Sequence, residues 1–169
     1  MKQTNTLQMP SFTFENNLLR LKVKKSPFVI RAILFIVAFA SFIFPTTGMV
    51  ISITSGHGLH FGFLIGIGIF SLLGFYLLRI ALWNTYGEEL ILFSKEEIIY
   101  EANYGWFKDA RTIIENKNIN YVISPIGYEE DNEGVLLIDN QKNQIECAVK
   151  MPLQQIEELI ILCKNKVNA

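Results

Sequence analysis

Two histidines, two cysteines and several paired acids are the residues in this chain whose types could do chemistry, and their spacing decides what each can support. His57 and His60 stand in an HxxH pair with no carboxylate or thiol nearby, whereas a zinc site needs three or four ligands. They read as loop residues, not as metal ligands. Cys147 and Cys163 lack a histidine in the same stretch of chain, so a Cys–His nucleophile has no base to activate it. Glu129, Glu130, Asp131 and Glu133 crowd one loop, but they lack the alternating ligands and terminal glutamate of a calcium loop. A solvated loop is the expectation. Glu88/Glu89 and Glu157/Glu158 are adjacent pairs, and neighbours in a strand point to opposite faces, so they too are expected to be solvated charges. No Gly-rich phosphate loop, nucleophile elbow, CxxC pair or HExxH helix occurs. The chain is expected to be neither an enzyme nor a carrier of a metal or cofactor.

The elements around these residues are more informative than the residues themselves. Of 169 residues, 50% are hydrophobic and only 18% charged, and no Asp, Glu, Lys or Arg occurs from residue 32 to residue 78. Two apolar segments, 28–54 and 59–83, are each long enough at about 1.5 Å per residue to cross a hydrocarbon core of about 30 Å. The first begins too far along the chain and is too long for a cleavable signal peptide. The short glycine-containing linker from Ser55 to His60 makes the two segments an antiparallel hairpin. Pro45 is expected to kink the first helix, because it removes a backbone donor and clashes with the preceding turn. Gly62 and Gly66 form a GxxxG that permits close approach, most simply of the first helix and alternatively of a second copy.

Charge sets the orientation. Arg20, Lys22, Lys24, Lys25 and Arg31 precede or open the first segment, Arg79 and Lys95 flank the end of the second, and the linker 55–60 carries no charge. The positive-inside rule then puts both termini in the cytoplasm of a cell whose inner membrane the hairpin crosses. These five residues, on a basic arm over 1–27 and at the start of the first helix, are the expected membrane-surface contacts. Strong basicity is confined to that short stretch, so lipid is the expected polyanion and nucleic acid is not. A reducing compartment leaves both cysteines as small apolar residues.

From residue 84 onward the pattern changes to short alternating runs. Residues 88–94 and 97–104 read as a strand pair, with Ile98, Tyr100, Ala102 and Tyr104 on one face. Strands at 107–114 and 119–126 follow, then the acidic loop 127–134, then a hairpin of 134–139 with 144–150. Pro152 opens a helix over 152–167, where Leu153, Ile156, Leu159, Ile160, Cys163 and Val167 recur at helical spacing. The region 84–169 holds eight basic residues against fifteen acidic ones.

A two-helix hairpin followed by about six strands and a closing helix resembles the small bacterial membrane proteins that carry a pleckstrin-homology-like cytoplasmic domain. The resemblance rests on the junction Gly74 to Gly87, the hairpin Glu88 to Tyr104 and the helix ending at Val167. It implies a membrane α plus soluble β-rich (α+β) fold class. Lipid-binding members resemble one another in a basic hairpin that grips inositol phosphates. Here Lys95, Lys108 and Arg111 stand among Glu88, Glu89, Glu96, Glu97, Glu101 and Asp109, so phosphoinositide binding is not expected. The expected role is a membrane-anchored interaction or scaffold module that meets a protein partner or a second copy of itself. A small transport or channel subunit is the alternative, although such a pore would normally show an ionisable residue facing its interior.

Overall fold

The computed structural model describes residues 11–167, the side chains of Glu129, Lys166 and Val167 excepted. It has an α+β layout in which two long apolar helices are followed by a sheet-rich region and a C-terminal helix. Two compact units make up the chain, and the first is discontinuous in sequence: residues up to Lys24 join those from Gly87 onward, while Lys25–Tyr86 form the second.

The helical unit contains α1 (Phe28–Thr54) and α2 (Phe61–Tyr86), of 27 and 26 residues. Both are long and apolar enough to cross a membrane by length and composition. The first has the bounds expected from sequence, and the second runs three residues beyond its expected end. Large apolar side chains point outward, Ile36, Phe44, Leu64, Ile69 and Leu72 among them, while the buried positions are mostly small, Ala38, Ser41, Gly74 and Ala81, with Leu82 the large exception. The helices come close together at Gly74. A Cβ there would lie 2.7 Å from the Phe42 ring and 3.1 Å from the Ala38 carbonyl oxygen. The GxxxG glycines expected to make this contact do not make it, since a Cβ at Gly62 or Gly66 would meet nothing within 4 Å. Their spacing permits a close approach, but they line an open groove that α1 borders through residues such as Val37 and Phe44 without closing on them. Helix α1 continues through Pro45, and the Ser41 and Thr46 hydroxyls bond back to the Val37 and Phe42 carbonyls at 2.9 and 2.7 Å.

In the sheet unit, β1 (Phe12–Glu15), β2 (Leu18–Lys22), β3 (Glu88–Phe93), β4 (Glu97–Asn103) and β5 (Lys108–Glu115) form an antiparallel meander in that order. A second sheet places β6 (Asn120–Pro125) beside β7 (Glu133–Asp139), which also pairs with β8 (Gln144–Glu146) and the two-residue β9 (Met151–Pro152). Helix α3 (Leu153–Val167) packs on β6, β7 and β9 through a face that buries Ile156, Leu159 and Cys163.

Among the described residues there are nine strands where six are expected; two of the three additions lie at the N-terminus and the third is the two-residue β9. Residues 12–22 are not part of a separate arm; Leu18 to Lys22 pair with Leu92 to Glu88, which makes β2 the neighbour of β3. The hairpin closes at Asn16-Asn17, with φ of 49° and 64°, the left-handed pair that a two-residue hairpin turn requires. Leu19 and Leu21 are fully buried, while Arg20 and Lys22 alternate outward. The domain therefore begins before the helices rather than at residue 84, and Met1–Pro10 of the expected arm lie outside the described residues. The expected strand 144–150 is also shorter: β8 ends at Glu146, the Cys147 N–H makes a last bond to the Leu136 carbonyl at 2.9 Å, and the chain then leaves the ladder.

Candidate functional site

The strand register sorts the basic residues by position. Lys22 is the Cα partner of Glu88, and Val23 N–H donates to the Gly87 carbonyl at 3.1 Å, so the chain leaves the sheet and re-enters it at one end. Lys22 and Lys24 are exposed there, and Lys25, the first residue of the helical unit, is exposed as well. Arg20 lies further into β2, with Nη1 3.5 Å from the Glu88 carboxylate, which also accepts from Asn103 Nδ2 at 2.8 Å. Arg31 sits in the first turn of α1, in the helical unit, with its Nε buried and no hydrogen-bond partner among the described residues. The five expected contacts thus fall in two units: Arg20, Lys22 and Lys24 belong to the sheet, Lys25 and Arg31 to the helices.

The same end of the sheet holds the β4–β5 turn, since Asn103 is the partner of both Glu88 and Lys108. In this turn Gly105 takes φ of 85° at the first central position, as a mirror-image hairpin turn requires. Tyr104 N–H donates to the Phe107 carbonyl at 2.9 Å, and the two rings stack 4.8 Å apart. Trp106 occupies the second central position and is 63% exposed. The opposite end of this sheet carries Glu15, Glu96, Glu97 and Glu115.

Among the described residues, one charged residue that the sequence reading placed in solvent lies in the interior. Glu89 is fully buried, its carboxylate accepting from Tyr100 Oη at 2.6 Å, the Ala148 N–H at 2.6 Å and the Val149 N–H at 3.0 Å. Those two amides follow the last ladder bond, made by Cys147, so the carboxylate on β3 serves as their acceptor in place of a neighbouring strand. Desolvation pushes the Glu89 pKa up, against the opposing pull of the three donated hydrogen bonds. The signal was in the sequence: Glu89 shares its strand face with the buried Ile91 and Phe93, and that alternation outweighs its residue type.

The remaining candidates resolve individually. Cys147 and Cys163 are buried free thiols; burial holds the first well above its ordinary pKa and pushes the second up to about 12, so neither presents a thiolate at neutral pH. Asp131 accepts from the Tyr128 N–H at 3.1 Å, which closes the short 3-10 turn Glu129–Asp131. His57 and His60 are exposed. Among the described residues no group of three or more His, Cys, Asp or Glu could hold a metal ion. An open groove of about 840 Å³ along the helices is lined by apolar side chains such as Val37, Phe44 and Phe70, with the Ser41 hydroxyl turned back to its own helix. In comparisons with known proteins, no family model, no curated protein and no solved structure matches this chain.

Proposed function

We propose that this chain is a membrane-anchored interaction module whose helices α1 and α2 cross a bilayer as a hairpin and hold a pleckstrin-homology-like domain at the cytoplasmic surface. One observation carries the reading: both helices are inserted between two adjacent antiparallel strands, with Gly87 alone separating α2 from β3. Two strands that pair side by side at Lys22 and Glu88 lie on one side of any bilayer the helices cross. The outward Leu, Ile and Phe side chains of α1 and α2 support insertion, because such a continuous apolar surface in water favours aggregation. Support for the domain type comes from β2, the strand missing from the sequence count. With it, β2 to β5 form one sheet and β6 to β8 a second, closed by α3, with β1 added at the edge.

Lys22, Lys24 and Lys25 remain the proposed contacts with anionic headgroups, each contributing about 1 kcal/mol near the surface. The partner is a protein or a second copy of the chain, met by the polar faces of the domain. Photoreactive residues at exposed positions such as Thr13, Lys150 and Glu157, introduced in living cells, are expected to yield at least one adduct of defined mass from the membrane fraction. If every position gives only lipid or diffuse background while the reconstituted protein conducts ions, the transport alternative replaces this reading.

A further inference from the structure

The feature left without a role is the tryptophan at the tip of the β4–β5 turn. A large aromatic side chain 63% exposed on a tight two-residue turn gains nothing from the domain core, and its neighbour Phe107 is 42% exposed. Its position in the sheet is set by register: Glu88 pairs with Asn103, Asn103 pairs with Lys108, and Trp106 lies between these last two in the chain. The end of the sheet that carries Trp106 is therefore the end where the chain passes to α1 and returns from α2.

Charge at that end has the sign that suits anionic lipid. Exposed Lys22, Lys24 and Lys108 stand there against Glu88 and Asp109, whereas Glu15, Glu96, Glu97 and Glu115 outnumber Lys95 at the other end of the same sheet. Indole is the side chain best suited to the headgroup level, apolar in body with one N–H donor, and lysine stems reach phosphates from the same depth. Gly105 supplies the φ of 85° that the turn needs, and the Tyr104–Phe107 hydrogen bond and ring stack brace its base.

From this we infer that the Tyr104–Phe107 turn is a bilayer-docking tip, with Trp106 seated in the headgroup layer and Lys22 and Lys24, at the same end of the sheet, on anionic phosphates. The inference rests on the membrane-spanning reading of α1 and α2. It goes further by giving the sheet domain a fixed face toward the lipid.

Trp83 and Trp106 are the only tryptophans, which makes fluorescence quenching the direct test. Full-length protein is reconstituted into vesicles of mixed phosphatidylcholine and phosphatidylglycerol, brominated either near the carbonyl end or near the methyl end of the chains. Flotation of the vesicles and bromine quenching of Trp83 in a Trp106→Phe variant report insertion of α2. The Trp106 signal is read from a Trp83→Phe variant, and again as wild type minus Trp106→Phe in case the first variant inserts poorly. The expected result is about twofold quenching by the carbonyl-end bromine, less by the methyl-end bromine, and protection from aqueous iodide, as for an indole at headgroup depth. With Trp83 quenched, an iodide-accessible Trp106 that bromine does not touch overturns the docking tip and leaves the spanning helices standing. A Trp106 shielded from both quenchers also overturns it, in favour of a protein cover. Failure of flotation or of Trp83 quenching sinks the spanning reading, and the docking tip with it.

Discussion

The sheet unit and the helical unit bury different kinds of residue. In the sheet unit the interior holds Leu19, Leu21, Ile91, Ile98 and Leu136, with Glu89 the one acid fully enclosed among the described residues. In the helical unit the interior is mostly small, Ala38, Ser41, Gly74 and Ala81 with the single large residue Leu82 near the end of α2, and most bulky apolar side chains are outside. One unit is organised by removing apolar surface from water, about 25 cal/mol for each Å². The other gains little from burial and depends on close backbone approach, the pattern of helices packed in an apolar solvent. The same substitution should therefore have opposite consequences in the two units, and that is where the comparison can be broken.

The largest effect is expected from deleting residues 12–22. Truncation of one buried leucine to alanine costs about 2–5 kcal/mol, and loss of both Leu19 and Leu21 with their strands approaches the whole stability of a domain, about 5–15 kcal/mol. Protease resistance of the sheet unit in the full chain should collapse on this deletion. An intact protease-resistant 87–169 fragment would show that the hairpin is an appendage.

Next is Glu89→Ala, which strands the Ala148 and Val149 amides at about 1–3 kcal/mol for each buried unpaired group. Glu89 also gives stability a pH dependence of definite sign. Its folded pKa is raised, so the folded state binds the proton more tightly than the unfolded state. The stabilisation is fully present below the unfolded pKa and is lost as pH rises through the folded value. Denaturant midpoints measured across that window should fall with rising pH in the wild type and stay flatter in Glu89→Gln. A midpoint that rises with pH only when Glu89 is present would reverse the sign of this contribution.

In the helical unit, Gly74→Leu should cost about 1–3 kcal/mol by overpacking against Phe42 and Ala38, whereas Gly66→Leu should cost almost nothing. Unfolding of the two variants in mixed micelles compares them directly. Equal losses would place Gly66 in a contact, such as one with a second copy. The smallest effect is expected from Arg20→Gln, below about 1 kcal/mol, since the pair with Glu88 is half exposed and 3.5 Å long.

How much of this was legible follows from range. The bounds of α1 could be read because composition alone marks such a helix, and the β3–β4 pair could be read because alternation and a short turn are local signals. The β1–β2 hairpin was missed even though Phe12, Phe14, Leu19 and Leu21 alternate around Asn16-Asn17, because its partner β3 lies beyond both helices. Clustered Arg20, Lys22, Lys24 and Lys25 read as an arm when only the charges are counted. Counted by alternation, two of them are the outer face of a strand. Glu89 was misplaced for the related reason that residue type was weighed above strand phase. Trp106 carries no signal of its own in sequence, and only the register of β3, β4 and β5 sets it at the end where the helices begin.

The central proposal is that α1 and α2 cross a bilayer and return the chain to the side from which it left. Single cysteines at the linker, His57→Cys, and at the strand exit, Lys25→Cys, test it in the otherwise native chain, since Cys147 and Cys163 are buried with thiols held protonated. A membrane-impermeant maleimide applied to intact cells should label position 57 and should reach position 25 only after permeabilisation. Labelling of both positions from the same side would contradict the crossing.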